Sequence, residues 1–254
     1  MKILEIANVG VVFGGLVAVD DFSMIVEKGT IHALIGPNGA GKTTLFNSIT
    51  RIGPRTKGKV FFKGKDITRL PDHKMIHMGI ARTFQNLQLF TKMTVYENLY
   101  SGYAFHFQKA FPSIFFGAHK KFAEEAEERI IAVAETMGIT SALFNIPENL
   151  SYGMQKRVEI GRAIISNPEM LLLDEPAAGL THQETEELDG ILATLCREQG
   201  MSILLVEHDM NIVMKISDRI SVMSFGKKIA EGTPNEIANN PEVIRVYLGE
   251  ETSA

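Results

Sequence analysis

Residues 36 to 43 read Gly36-Pro37-Asn38-Gly39-Ala40-Gly41-Lys42-Thr43, directly after the apolar run Ile31 to Ile35. Gly36, Gly39 and Gly41 permit a tight turn whose successive N–H groups point inward. A helix opening near Thr43 would add the positive end of its dipole, which makes the segment a cradle for polyphosphate. Lys42 supplies a mobile point charge for β- and γ-phosphates, and the Thr43 hydroxyl is positioned to ligate Mg²⁺. The competing reading is a glycine-rich turn followed by a chance Lys-Thr, and the complete pattern between strand and helix argues against it. The chemistry indicated is the binding of a nucleoside triphosphate.

A second constellation is Leu171-Leu172-Leu173-Asp174-Glu175-Pro176, an apolar strand that ends in two carboxylates. Adjacent side chains on an extended chain point to opposite sides. Asp174 is therefore assigned to the metal, through a water, and Glu175 to general-base work on a water facing the γ-phosphate. The two carboxylates would lie next to the phosphate loop if the strand ending at Asp174 neighbours the one that feeds it. A solvated acidic turn is the alternative.

The elements that must carry these groups are legible in outline. Ile3 to Val12 and Phe22 to Val26, separated by Gly14-Gly15 and Asp20-Asp21, suit antiparallel strands, and Val60-Phe61-Phe62 between Gly58 and Gly64 adds another. Met170 to Leu173 and Ser202 to Val206 read as buried parallel strands. The stretch joining them carries Leu188, Ile191, Leu192 and Leu195 at helical spacing. The fold class expected is α/β, a phosphate-loop NTPase core with a mostly parallel sheet and an N-terminal antiparallel β part, the nucleotide lying at the carboxyl ends of the strands. From about Asn86 to Asn167 strand signals vanish, and Phe122, Ala126, Ile130, Val133 and Met137 mark a long amphipathic helix. This is read as an inserted helical subdomain over 86–167, within a single domain whose core is 1–85 and 168–254. Tyr103, Phe105, Phe107, Phe111, Phe115 and Phe116 are either an interaction surface or packing inside that insertion.

A net charge of −4 with scattered Lys and Arg provides no basic stripe, so nucleic acid is not an expected partner. The single cysteine, Cys196, excludes an intrachain disulfide and is read as a core residue. Glu5 interrupts the N-terminus before any secretory apolar stretch, and the weakly charged run Ser101 to His119 contains Lys109 and Pro112, a poor membrane span. A cytoplasmic location is expected, with any membrane role reached through a partner.

Leu150-Ser151-Tyr152-Gly153-Met154-Gln155 then precedes a helical run, and its distances from Lys42 and Asp174 complete a set. This set resembles the ATP-binding-cassette (ABC) ATPases over nearly the whole chain, the signature being the counterpart of that family's Leu-Ser-Gly-Gly-Gln. The resemblance implies ATP held by residues 36–43 and Thr44, with Phe13 stacking on adenine. It implies Mg²⁺ as cofactor, contacted by Thr43, Gln85 and Asp174, and catalysis by Glu175 aided by Gln85 and by His208 as switch histidine. It also implies that Ser151, Tyr152, Gly153, Met154 and Gln155 close over the ATP of a second ABC ATPase subunit in a head-to-tail dimer.

Tyr152 and Met154 depart from the usual Gly and Gln, and Thr181 stands where the family often has Asp. Phe13 to Val19, Arg82 to Asn86, Glu175 to Leu180, Ala230 to Pro234 and the closing Tyr247-Leu248-Gly249-Glu250 resemble one branch, the ATPases of branched-chain amino acid importers. That branch implies two membrane permeases, an identical or related ATPase partner, and indirectly a solute-binding protein. The place implied is the cytoplasmic face of a bacterial or archaeal membrane. Urea or short-amide importers and lipopolysaccharide exporters use similar subunits. Rivals of other classes are a soluble ABC ATPase acting on ribosomes or chromosomes, opposed by the single motif set and the lack of heptads, and a small-molecule kinase, opposed by the signature, Glu175 and His208.

Overall fold

The computed structural model describes residues 1–53, 57–103 and 119–251. Strands β1 (Lys2–Phe13) and β2 (Leu16–Glu27) form a hairpin, and β4 (Lys57–Phe62) and β5 (Lys65–Asp66) extend it into an antiparallel sheet of order β2-β1-β4-β5. The other sheet contains β3 (Ile31–Ile35), β6 (Ile80–Arg82), β7 (Met170–Asp174), β8 (Ser202–Val206), β9 (Arg219–Ser224) and β10 (Lys227–Gly232) in the order β10-β9-β3-β8-β7-β6. All its pairings are parallel except that of the edge strand β10 with β9. The α/β class with a mostly parallel sheet is borne out.

One expectation needs correcting. The strand ending at Asp174 does not neighbour the strand that feeds the phosphate loop, because β8 lies between them. β3, β7 and β8 are each buried along their whole length, and each has a neighbour on both sides, as mostly apolar strands of a parallel sheet do. Asp174 and Glu175 therefore approach the loop from one strand further away, along the same carboxyl edge.

Strand periodicity sorts the core. Leu171 and Leu173 face the helical side, packing with Leu188, Leu192 and Leu195 of helix α6 (His182–Arg197), and Cys196 is buried among them. Met170 and Leu172 face the opposite side, where they meet Leu45, Phe46 and Ile49 of helix α1 (Lys42–Thr50) and the inner residues of β1 and β2. Between α1 and α6 lie the short α2 (Met75–Met78) and three helices that pack on one another: α3 (Val95–Tyr103), α4 (His119–Met137) and α5 (Tyr152–Ile164). On α4 the expected stripe is buried at Ala126, Ile130, Val133 and Met137. The ring of Tyr103 packs against Phe122 at 5.3 Å between centroids, so this aromatic is packing, whereas Phe105, Phe107, Phe111, Phe115 and Phe116 lie outside the described residues. Among the described residues, no helix is long and apolar enough to cross a membrane. Helices α7 (Met210–Ile216), α8 (Pro234–Ala238) and α9 (Pro241–Glu251) cover the β9–β10 end.

Buried polar residues in this core are tied across strands. His32 on β3 meets Ser221 on β9, Nε2 to Oγ at 2.9 Å, and the Ser221 hydroxyl donates to Glu231 on β10 at 3.3 Å. Burial pushes the His32 imidazole down to about 4, against the pull of the nearby Glu231 carboxylate. An unfolded chain binds this proton near the ordinary value of 6.5 while the native chain stays neutral. Stability is therefore lost as pH falls from that value towards 4, by up to about 3 kcal/mol. Urea midpoints measured across this window should decline, and His32→Gln should flatten the decline.

Candidate functional site

β3 delivers the chain into the loop at the carboxyl edge. Gly36 adopts φ 152°, and a Cβ there would lie 2.0 Å from the Met223 carbonyl oxygen. At Gly41, φ 102°, a Cβ would lie 2.3 Å from the carbonyl oxygen of Ala18. Glycine is thus required at both by close approach of neighbouring backbone as well as by conformation. The loop is pinned further where Gly226 N–H, in the β9–β10 turn, donates to Ala40 O at 2.8 Å. Helix α1 begins at Lys42, one residue earlier than expected, with no side-chain cap and no acidic residue in its first turn. Its leading amides and dipole therefore remain available to an anion. Lys42 is buried and folds its ammonium onto the carbonyls of Gly36 and Pro37, at 2.5 and 2.9 Å, while Thr43 is exposed.

A cavity of about 520 Å³ lies over this loop. Its walls bring together residues 38–44 with Phe13, Gln85 and Glu175, gathered from four separate stretches of chain. Phe13 lies on one rim beside Leu16 and Val17, and Phe225 joins them there. Sequence reasoning missed Phe225. It is 91% exposed, and the β9–β10 turn holds it at φ 46°, a left-handed conformation uncommon outside glycine. An apolar rim of this kind suits the flat face of a base.

The carboxylates separate as expected, and their partners can be named. Asp174 is 1% exposed, with Oδ2 held by Arg82 Nη2 at 3.3 Å. Its Oδ1 is buried with no hydrogen-bond partner among the described residues. Burial pushes the Asp174 carboxyl above its ordinary range, and Arg82 draws it back. Glu175 has φ 48°, and its N–H is anchored on Val206 O at 2.9 Å. Gln85 Nε2 donates to Glu175 Oε2 at 3.0 Å, and His208 Nδ1 stands 3.9 Å from Oε1. The two residues singled out by resemblance thus converge on the expected base. Beneath them the buried Glu207 accepts from the N–H groups of Ala177 and His208, at 3.0 and 3.1 Å. Arg82 and Glu207 were not found from sequence because Arg82 pairs with Asp174, 92 residues away, and Glu207 with the Ala177 amide, 30 away; a cation ending an edge strand was the only signal for Arg82.

The signature lies outside this cavity. Ser151 caps α5 by accepting from Met154 N–H at 3.3 Å, Gly153 is buried, Tyr152 is exposed and packs on Gly179, and Gln155 Nε2 donates to Leu150 O at 3.0 Å. Thr181 caps α6 in a reciprocal box with Glu184. Further along α5, the buried Lys156 and Glu159 form an ion pair at 3.1 Å. Glu159 Oε1 accepts Gln88 N–H at 3.0 Å, Lys156 reaches Gln85 O at 3.5 Å, and Arg162 donates to Gln88 O. A second cavity of about 550 Å³, largely apolar, opens beside this clamp and is lined by Met75, Ile76, Phe84, Phe90, Gly102 and Arg162 among others.

Residues 19–178 match the ABC transporter family model. The chain belongs to the ABC transporter ATPases. Residues 227–252 also match a model described as branched-chain amino acid ATP-binding cassette transporter. Among curated relatives, the high-affinity branched-chain amino acid transport ATP-binding protein BraF of Pseudomonas aeruginosa is 42% identical over 98% of both chains. LivG of Escherichia coli, named for the same transport, is 43% identical over 94% of both. A solved structure of the ADP conformation of an ABC transporter cassette superposes with TM-score 0.85 at 34% identity, covering 98% of this chain and 99% of that one. The chain is accordingly an ATPase of the transporter type, with the phosphate-loop α/β fold expected.

Arg82 stacks over Phe46 and Phe84, at 4.7 and 5.2 Å, besides pairing with Asp174. Arg82→Met should lower stability by about 3 kcal/mol, because it strands a buried carboxylate. With its partner gone the Asp174 carboxyl should titrate still higher, so the loss should shrink as pH falls and that group is neutralised. Urea unfolding of both proteins at neutral and acid pH checks this.

Proposed function

We propose that this chain powers an importer of branched-chain amino acids. It would work with a second ABC ATPase subunit, identical or related, on two integral membrane permeases at the cytoplasmic face of the membrane, with a solute-binding protein supplying cargo. The observation that carries the cargo is the match of residues 227–252 to the branched-chain model, supported by relatives of that name along nearly the full length. The apolar groove beside Phe84 and Phe90 supports a permease helix as docking partner. We treat the chain as one domain, 1–85 and 168–254 making the ATPase core and 86–167 an inserted helical part.

In this reading the amides of residues 38–44 and the Lys42 ammonium hold the β- and γ-phosphates, and Phe13 packs on the base. The donor set suits Mg²⁺, since Asp174 Oδ1 is a buried oxygen with no hydrogen-bond partner among the described residues, free to reach the metal through a water, and the Thr43 hydroxyl and Gln85 amide oxygen are hard ligands. When bound, Mg²⁺ neutralises charge on the phosphate oxygens. Gln85 holds Glu175 through Oε2, leaving Oε1 to take a proton from water as that water's oxygen attacks the γ-phosphorus and the bond to the β–γ bridging oxygen breaks. His208, beside Oε1, orients the water and the departing phosphate. Ser151, Gly153 and the start of α5 offer their donors to ATP bound by the partner subunit, so two ATP molecules hold the pair closed until hydrolysis.

Glu175→Gln should keep ATP binding, slow turnover about 10²- to 10⁴-fold, and trap an ATP-dependent dimer visible by size-exclusion chromatography. Normal turnover would remove Glu175 as base. For the cargo, the assembled complex in proteoliposomes should take up leucine, isoleucine or valine when supplied with ATP on the ATPase side. Uptake of urea or a short amide instead would reassign the substrate.

A further inference from the structure

The signature donors are already occupied within the chain. Ser151 Oγ donates to Glu184 Oε1 at 2.9 Å, and Gly153 N–H donates to the same oxygen at 3.3 Å. The other oxygen, Oε2, accepts the N–H and the hydroxyl of Thr181, each at 3.1 Å. The contact is close enough that a Cβ on Gly153 would lie 2.5 Å from the carboxylate. Hydrogen bonds from Thr181 N–H and Ser151 hold the Glu184 carboxyl below its usual range, which keeps it an anion at neutral pH.

A serine hydroxyl has one hydrogen and a backbone amide has one. A phosphate oxygen and a carboxylate oxygen cannot both be satisfied by these two donors, and two anions side by side repel. We propose that Glu184 is a gate on the composite site, an internal anion that occupies Ser151 and Gly153 and must release them before they engage a γ-phosphate held by an opposing subunit. Thr181 supplies the hinge. Its N–H and hydroxyl retain Oε2 while Oε1 swings away, so the α6 capping box survives the release. The gate opposes closure until ATP is in place and recaptures the donors once phosphate leaves.

The inference rests on the reading that the signature binds phosphate across a dimer, and the test separates the two. In the Glu175→Gln background, the fraction of dimer is measured by light scattering against MgATP concentration, with circular dichroism confirming that each variant is folded. Glu184→Ala, which leaves the backbone N–H that Thr181 caps, should lower the half-maximal ATP concentration by about two- to fivefold. Glu184→Gln keeps an acceptor but no charge and should give a smaller decrease in the same direction. An unchanged or raised concentration for Glu184→Ala would overturn the gate, a raised value identifying Glu184 as a support that positions Ser151. Ser151→Ala should weaken dimerisation. If it does not, or if the chain stays monomeric in every variant, the composite-site reading itself fails.

Discussion

The carbonyl oxygens of Met223 and Ala18 stand where Gly36 and Gly41 would carry side chains, and much of the site follows from that close approach. Backbone from β2 and from the end of β9 grips the loop on two sides, and the amide of Gly226, in the β9–β10 turn, ties it down at Ala40. The loop backbone is held by these neighbours before any anion arrives, so little reorganisation would oppose binding. The same β9–β10 turn places Phe225 on the cavity rim. One piece of backbone thus shapes the phosphate cradle and part of its apolar border.

Electrostatics at the carboxyl edge divides two adjacent acids into different environments. Asp174 is sunk beside Arg82 with one oxygen lacking a hydrogen-bond partner among the described residues, while Glu175 is turned by its left-handed backbone towards Gln85 and His208. A buried carboxylate with an unmet acceptor is costly to a resting protein. A cation requires that kind of oxygen, which fits the role proposed for Asp174.

What sequence reveals here depends on range. The phosphate loop, the β7 carboxylates and the α4 stripe are written in contiguous or periodic residues, and local physics suffices to read them. The placement of β8 between β3 and β7 is a matter of sheet order, on which hydrophobicity is silent because all three strands are mostly apolar and buried along their whole length. Arg82, Glu207 and Glu184 each have a partner brought near only by folding, Asp174 at 92 residues, Ala177 at 30 and Ser151 at 33. Thr181, visible in sequence only as a missing carboxylate, proves to be a helix cap.

The clamp between α5 and the chain ahead of α3 carries a mechanical consequence. Glu159 and Arg162 hold both the N–H and the carbonyl of Gln88, and Lys156 reaches the carbonyl of Gln85, so the strip from 85 to 88 is bolted to the helix that Ser151 begins. Lys156 and Glu159 both belong to the helix, and their buried ion pair fixes the two side chains that reach the strip, since parting it would strand charge away from water. Helix and strip therefore behave as a single crank, with its handle at the apolar groove and its tip at the carboxamide touching Glu175. A tilt imposed at either end is felt at the other without passing through the sheet.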